Sequence, residues 1–476
     1  MNNHITIVWF KQDLRLEDNP ALNAAAQNGE VIPIFIYDTS VPNYAQLGGA
    51  SKWWLHQSLQ HLNEKLDGKL ICLSGKPSLI LPQLVQDICA THVVWNRTYE
   101  PWQMARDKNI KTELKSNGIG CVSYNGSLLW EPWTINKPNG EPYKVFTPYY
   151  RRGCLGASAP RYPLRCPEKL IIADVNVRDK VDISDLNLLP TLNWYKNFGD
   201  SFVPGEVGAK EKLSDFLTQA VSQYKTQRDV PSIKGTSMLS SHLHWGEISP
   251  NQIWYAVLDR FGGMAQEGVD VFLSEIGWRE FSYYLLFHFP ELHNKNYSEK
   301  FDRFPWLNNE ADIIAWQKGK TGIPIIDAGM RQLWQTGYMH NRVRMVVASF
   351  LIKNLLVDWR HGERWFWDCL CDADLASNSA SWQWVAGCGA DAAPYFRIFN
   401  PVLQGEKFDK DGTFVRQYCP ELAHMPDKYI HKPWEAPLDI LNVAQVSLGD
   451  NYPLPIVELK GSRQRALTAL KRVNEK

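Results

Sequence analysis

Polar and aromatic side chains that could hold a planar ligand are concentrated between positions 372 and 401, in the sequence DADLASNSASWQWVAGCGADAAPYFRIFNP. Asp372 and Asp374 lie just ahead of a predicted helix. Asn378 and Trp382 follow Asp374 at i+4 and i+8, so these three share one helix face, whereas Trp384 points to another side. The pattern suits a buried planar ligand with hydrogen-bonding edges. A tryptophan-rich core helix followed by a glycine-rich turn is the alternative that this stretch leaves open.

Two further segments carry residue types suited to binding. The sequence GTSMLSS at residues 235–241 gathers hydroxyls and backbone donors ahead of a predicted helix, which suits a pyrophosphate, although serine and threonine are also ordinary helix caps. Glu275 and Trp278 stand at i,i+3 on one helix face. They either line a pocket or form a solvated glutamate beside a core tryptophan. Arg279 and Glu280 are expected to flank the outside of this helix.

The sequence HNRVRM at residues 340–345 opens another predicted helix. Asn341 and Met345 at i,i+4 form a mixed polar and soft apolar patch that suits a nucleobase. Arg342 and Arg344 point in different directions, so we expect one to pair internally and the other to face a phosphate. A solvated helix start is the alternative.

Several kinds of site have no support in the sequence. No GxGxxG or Walker A motif follows the first predicted strand, so an ordinary NAD or ATP site is not indicated. The nine cysteines include no CxxC motif. We therefore predict reduced thiols, no metal site and a cytoplasmic protein.

Short apolar strands alternate with helices in the first part of the chain, which predicts a doubly wound parallel sheet with helices on both faces, over residues 1–132. Residues 133–205 are rich in Pro, Gly and Asn and are predicted to form a long linker. Residues 206–476 are predicted to be all-helical. The predicted helices of that domain are Ala209–Tyr224, Ser249–Arg260, Val269–Phe289, Ile313–Lys318, Ile325–Thr336, His340–Trp359 and Glu363–Asp368.

Composition and charge say little about partners. Lys+Arg 51 balance Asp+Glu 51, and the pI is about 7.2, so any basic surface must arise from spatial segregation of charge. The sequence shows neither a signal peptide pattern nor a run of about 18 apolar residues, so no membrane span is predicted.

Taken together, these motifs resemble the photolyase/cryptochrome flavoproteins over nearly the whole chain. The resemblance rests on VWFKQDLRLEDNPAL, GTSMLSSHLHWGEISP, WREF, TGIPIIDAGMRQLWQTGYMHNRVRMVVASFL, LLVDWRHGERWFW and the 372–401 stretch. It is strongest to microbial photolyases that repair cyclobutane pyrimidine dimers, of class I or the related class III.

The resemblance implies an FAD bound inside the helical domain. By the family pattern, its ribityl-phosphate region is held by Tyr224, Thr236, Ser237, Leu239 and Ser240. The isoalloxazine and adenine parts are surrounded by Asn341, Arg344, Asp372, Asp374 and Asn378, and Trp278 also belongs to the cofactor set. Asn378 resembles the residue that faces flavin N5, where plant cryptochromes place an Asp.

The resemblance also implies a site for a flipped-out pyrimidine dimer in UV-damaged DNA. Trp278 and Trp384 would pack on the bases, Glu275 would hydrogen-bond the dimer and stabilise its radical anion, and Arg342 and Arg397 would hold phosphates. Asn341 and Met345 would complete the pocket, with Glu275, Asn341, Asn378 and Met345 as the catalytic set. Photolyases specific for the (6-4) lesion place a His where Met345 stands.

The implied reaction is light-driven electron transfer from reduced FAD to the dimer, after which the cyclobutane bonds split and the electron returns. Trp382, Trp359 and Trp306 match the family's electron relay from the flavin to the surface. Methenyltetrahydrofolate is the expected antenna, ahead of a deazaflavin, although Trp102 and Gln103 depart from the best-known folate pattern.

The resemblance leaves a second function open, a cryptochrome-type blue-light photoreceptor without repair activity. The pattern at Trp278, Met345 and Asn378 favours repair. No long C-terminal extension follows the last predicted helix, which also favours repair. We expect a monomer that needs no protein partner and no membrane, and that is associated with the nucleoid when it is bound to DNA.

Overall fold

The computed structural model describes residues 4–392 and 396–475. Within them, five strands form one parallel sheet in the order β3-β2-β1-β4-β5, as predicted. The strands are β1 His4–Phe10, β2 Gly29–Asp38, β3 Ile71–Gly75, β4 His92–Asn96 and β5 Gly120–Tyr124.

The helices cover both faces of this sheet and make up most of the later chain. They are α1 Pro20–Asn28, α2 Gly49–Lys65, α3 Pro77–Asp87, α4 Pro101–Ser116, α5 Phe146–Pro148, α6 Glu206–Gln219, α7 Tyr224–Gln227, α8 Ser240–His244, α9 Pro250–Phe261, α10 Glu267–His288, α11 Glu310–Gln317, α12 Pro324–Thr336, α13 Asn341–Ser349, α14 Trp359–Cys369, α15 Leu375–Ala386, α16 Pro401–Phe408, α17 Thr413–Tyr418, α18 Leu438–Val443 and α19 Leu459–Asn474. None of these helices is long and apolar enough to span a membrane.

The chain forms two compact units. The first contains residues 1–193, 202–219 and 238–290, and the second contains residues 194–201, 220–237 and 291–476. The sheet, α1–α6 and α8–α10 belong to the first unit, and α7 and α11–α19 belong to the second. The predicted domain boundaries at 132 and 205 stay a prediction, although residues 133–193, which the sequence assigned to a linker, lie in the first unit.

The polar loop after β1 binds main-chain groups of the first unit. The buried Arg15 guanidinium donates hydrogen bonds to the carbonyls of Asp18, Gly126 and Gly246 at 2.6–3.1 Å. Asp18, fully buried, accepts from the Ser249 hydroxyl. The loop therefore connects β1 with segments more than a hundred residues away, which sequence periodicity does not reveal.

The predicted helix His340–Trp359 is wrong at its C-terminal end. Helix α13 ends at Ser349. A π-helical turn, Phe350–Asn354, follows it directly. Leu356 then adopts a left-handed backbone with φ 53°, which a helix cannot continue. Asp358 accepts a hydrogen bond from the Arg360 amide, so a new helix, α14, begins at Trp359.

Candidate functional site

Three predicted cofactor residues of the second unit meet around Tyr338. Arg344 donates from Nη2 to both carboxylate oxygens of Asp372, at 3.1 and 2.8 Å, and its guanidinium lies 5.5 Å from the Tyr338 ring centroid. Thr236 hydrogen-bonds the Tyr338 hydroxyl. Burial raises the pKa of Tyr338, so its hydroxyl stays protonated. Sequence reasoning missed Tyr338, whose only signal was its place in the TGYMHN motif.

Asp374 and Asn378 are fixed at the start of α15. Asp374 is the N-cap and accepts from the Ser377 amide at 2.7 Å. Asn378 donates from Nδ2 to the Glu363 carbonyl at 3.0 Å, so its amide oxygen points away from α14. Ser379 donates to the Glu363 carboxyl at 3.2 Å, and burial raises the pKa of Glu363 to about 7. This part of the site therefore offers an amide oxygen whose orientation is fixed by the Glu363 carbonyl, and α14 carries a carboxyl that is partly protonated at neutral pH.

His340 provides a buried donor. Its Nδ1 accepts from the Arg342 amide at 3.2 Å, which caps α13 and leaves the proton of the neutral ring on Nε2. Burial lowers the pKa of His340 to about 4. His340 is 3% exposed, and within the described residues its Nε2 has no hydrogen-bond partner. A bound ligand with acceptor oxygens would satisfy this donor.

The remaining α13 side chains face a more open surface. Asn341 is exposed and Met345 is half-buried, one turn apart. Arg342 pairs with both carboxylate oxygens of Asp229, at 3.2 and 2.8 Å. Arg344 is also paired with a carboxylate, so the structure pairs both arginines, and the phosphate contact of one of them stays a prediction. Asp229 is 28% exposed, so an incoming phosphate can compete for Arg342.

Arg228 is a further cation that sequence reasoning missed. It is half-buried next to Asp229, and its guanidinium lies 5.3 Å from the ring centroid of Tyr224, a buried predicted cofactor residue. The positive charges of Arg228 and Arg342 both contribute to lowering the pKa of His340. The guanidinium groups of Arg228 and Arg342 and the carboxylate of Asp229 therefore all act on His340.

The α10 residues of the first unit are held by aromatic stacking. Glu275 and Trp278 are both half-buried. One face of the Trp278 ring is covered by Phe146, with centroids 3.8 Å apart and planes 12° apart. Phe146 stacks in turn on Tyr150. A Cβ at Gly277 would lie 2.5 Å from the Tyr150 ring, so only glycine permits this stack to approach α10.

The expectation that Glu280 flanks the outside of α10 is wrong. Glu280 is 1% exposed and accepts from the amides of Leu129 and Trp130 at 2.9 and 3.2 Å. Burial raises the pKa of Glu280 to about 7. Its neighbour Arg279 donates to the Ser127 carbonyl at 2.8 Å. The polar residues of the WREF motif therefore anchor α10 within the first unit.

The three predicted relay tryptophans share one core cluster of the second unit. Trp382 is 3% exposed and its ring rests on Gly362, one turn along α14 from Trp359. Trp359 is fully buried and donates from Nε1 to Asn296 at 2.9 Å. Trp306 is half-buried in the loop before α11. The structure thus brings a buried pair and a more exposed third indole into one packed region.

The other predicted site residues are placed as follows. Trp384 is half-buried and donates from Nε1 to the Asp391 carbonyl at 3.1 Å, which differs from the buried setting of Trp382. Arg397 and Ser240 are exposed, Ser237 is half-buried and Leu239 is buried. These placements leave the predicted roles untested.

The predicted antenna residues lie at the start of α4. Trp102 donates from Nε1 to Glu100 at 2.7 Å, and the Arg106 guanidinium lies 5.0 Å from a Trp102 ring centroid. Gln103 is buried, and within the described residues its Oε1 has no hydrogen-bond partner. This pair combines an indole with an unsatisfied acceptor.

Comparison with known proteins shows which family this chain belongs to. A family model described as the FAD binding domain of DNA photolyase matches residues 272–472, and one described as DNA photolyase matches residues 6–168. A deoxyribodipyrimidine photo-lyase of Agrobacterium fabrum is 51% identical over 97% of each chain. The chain belongs to the photolyase/cryptochrome family. Cryptochrome-2 of Arabidopsis thaliana, another relative, is 38% identical over 99% of this chain and 79% of its own length.

A solved photolyase has the same fold. The crystal structure of a class III photolyase from Agrobacterium tumefaciens matches with a TM-score of 0.95 and 49% identity, covering 100% of this chain and 99% of that one. The resemblance inferred from the motifs is thereby confirmed. So is the predicted fold class of this photolyase-family chain, a parallel-sheet N-terminal domain followed by a mostly helical FAD-binding domain.

Proposed function

We propose that this chain is a light-dependent DNA repair enzyme, a deoxyribodipyrimidine photo-lyase that splits cyclobutane pyrimidine dimers with the help of FAD. The observation that carries the proposal is the 51% identity to a photo-lyase along nearly the full length of both proteins. A cryptochrome-type photoreceptor is the second candidate, because Cryptochrome-2 matches 99% of this chain, but at only 38% identity.

The residues of the second unit fit FAD. Arg344, held by Asp372, and Thr236 supply polar contacts, and the unsatisfied Nε2 of His340 supplies a buried donor for an acceptor oxygen of the cofactor. Asn378 would present its fixed amide oxygen to flavin N5 and accept a hydrogen bond there. When bound and reduced, FAD supplies the light-excited electron that the repair reaction needs.

The lesion would be held by the other predicted residues. Trp278 has one ring face covered by Phe146 and would stack its other face on a base. Trp384, Glu275, Asn341 and Met345 would contact the bases, whereas Arg342 and Arg397 would bind phosphates. Since phosphate contacts release counterions, binding to damaged DNA is expected to weaken as salt concentration rises.

We also propose a folate antenna, methenyltetrahydrofolate, held in part by Trp102 and Gln103. The unsatisfied Gln103 acceptor and the Trp102 ring support a planar ligand with a donor edge. A deazaflavin is the less favoured alternative. We further infer a monomer that acts in the bacterial cytoplasm, at the nucleoid.

The test is repair itself. The FAD-loaded, reduced protein is mixed with an oligonucleotide that contains a thymine dimer, illuminated with near-UV or blue light, and followed by the return of thymine absorbance. We expect recovery in the light and none in the dark. Absence of recovery with reduced FAD bound would overturn the repair proposal and favour the photoreceptor.

Replacing Phe146 by alanine is expected to weaken lesion binding on the order of 10-fold, because the Trp278 ring loses its stacking partner. The measurement is the dissociation constant for dimer-containing DNA. Phe146→Tyr keeps the stack and serves as the matched control. Equal affinities for the alanine variant and the wild type would show that the stack does not position Trp278.

A further inference from the structure

A lysine side chain is buried inside the second unit. Lys353 lies in the π-helical turn after α13 and is 3% exposed. Its Nζ donates to the Arg397 carbonyl and lies 4.7 Å from the Phe396 ring centroid. In the part of the chain that the structure describes, no ion pair joins Lys353 to an Asp or Glu.

Such a lysine is unfavourable for folding. Transfer of an ammonium group from water to a protein interior is costly unless a counter-ion compensates it. Burial and, to a smaller extent, the positive charge of Arg397 lower the pKa of Lys353 to about 7. The Cys388 thiol, whose own pKa is raised to about 12, stays neutral and gives no counter-charge near pH 7. An apolar side chain of similar length would stabilise this core better.

Lys353 instead holds the segment of residues 396–400. A second contact comes from Ser349, four residues earlier, whose Oγ accepts from the Phe399 amide at 3.3 Å. The segment ends at Asn400, which caps α16. Arg397 belongs to this segment. The buried Lys353 holds its carbonyl, whereas the Arg397 side chain is exposed to solvent.

The π-helical turn contacts two other segments, residues 396–400 and helix α19. Asn354, next to Lys353, donates to Ser462 of α19 at 2.8 Å, and its carbonyl accepts from Arg465 at 2.6 Å. The widened turn thus directs the adjacent side chains of Lys353 and Asn354 toward different elements. Such π-helical turns are frequent at functional sites. It links the helix that begins with Asn341 to the segment that carries Arg397.

We propose that Lys353 is a positioning residue for DNA binding, which fixes the Arg397 backbone and places a positive charge beneath the guanidinium that contacts a DNA phosphate. The inference rests on the proposed repair function and deepens it. A neutral lysine has one N–H fewer and no charge, so affinity for damaged DNA should fall as pH rises through about 7. Of the other charged side chains around this turn, Arg397 lies on the segment that Lys353 holds, and Arg465 donates to the Asn354 carbonyl.

The test compares Lys353→Met with the wild type as FAD-loaded full chains. We expect on the order of 10-fold weaker binding of dimer-containing DNA at about pH 6, with unchanged repair per bound lesion and an equal or higher melting temperature. The pH dependence of binding between about pH 6 and 8.5 should be lost in the variant. Lys460→Met, which removes an exposed charge from α19, is the matched control and should bind nearly as the wild type does.

Two outcomes would overturn the inference. One is equal affinity of Lys353→Met and wild type at every pH. The other is an affinity loss that tracks a lower melting temperature, which would mean that Lys353 only supports the fold. A wild type that neither binds nor repairs dimers would instead refute the proposed function.

Discussion

Trp382→Phe is expected to abolish photoreduction of oxidised FAD while leaving repair by the pre-reduced enzyme intact. A phenyl ring is much harder to oxidise than an indole, so the relay would be broken at its first step. A rate loss of ~100-fold corresponds to about 2.7 kcal/mol of added barrier. Trp382 is 3% exposed, rests on Gly362 and meets Phe366 edge-on at 4.9 Å, so the smaller aromatic ring preserves most of the packing.

The measurement is the decay of oxidised flavin absorbance under blue light with an external reductant. Trp365→Phe is the matched control, because Trp365 lies on α14, as the relay residue Trp359 does, but stacks on Trp334, outside the predicted relay. Photoreduction should be normal in that control. Normal photoreduction in Trp382→Phe would show that electrons reach the flavin by another route, and loss of repair would show that Trp382 also has a role in the repair step.

Asp327→Ala is expected to destabilise the second unit by about 3–5 kcal/mol, the cost of leaving buried polar groups unpaired. Asp327 is fully buried and accepts four hydrogen bonds, from the amide and hydroxyl of Thr321, the Gly322 amide and the Tyr452 hydroxyl, at 2.7–3.0 Å. They join the turn before α12 to a residue 125 positions later. Alanine would remove all four acceptor contacts together.

Chemical denaturation at several pH values measures this change. Burial raises the pKa of Asp327 from 3.8 to about 6, so its contribution to stability is complete below pH 3.8 and is lost as pH rises through 6. The destabilisation should therefore be larger at about pH 4.5 than at about pH 8. Asp439→Ala, on the exposed side of α18, should change the unfolding free energy by less than about 0.5 kcal/mol. Equal unfolding free energies for Asp327→Ala and wild type would refute the role of the network.

The sequence alone predicted the sheet, most of the helices and the helix that carries the candidate cofactor residues. Apolar strands separated by helical patterns predicted the parallel sheet, because strand burial and helix periodicity are local properties. The i+4 and i+8 spacing placed Asp374, Asn378 and Trp382 together at α15, and the structure has Asp374 capping that helix. The motifs also determined the family, which the comparisons confirm.

Only the tertiary structure decided the long-range partners. Glu280 was expected outside its helix, but amides 150 and 151 residues earlier in the chain compensate its burial. Likewise, three contacts join residues far apart in sequence: Phe146 stacks on Trp278, Asp229 pairs with Arg342, and Lys353 donates to the Arg397 carbonyl. Hydrophobic periodicity records which face of an element is buried but not which distant donor or ring meets it. The sequence therefore supplied the candidate residues, and packing determined which of them are fixed, paired or open to a ligand.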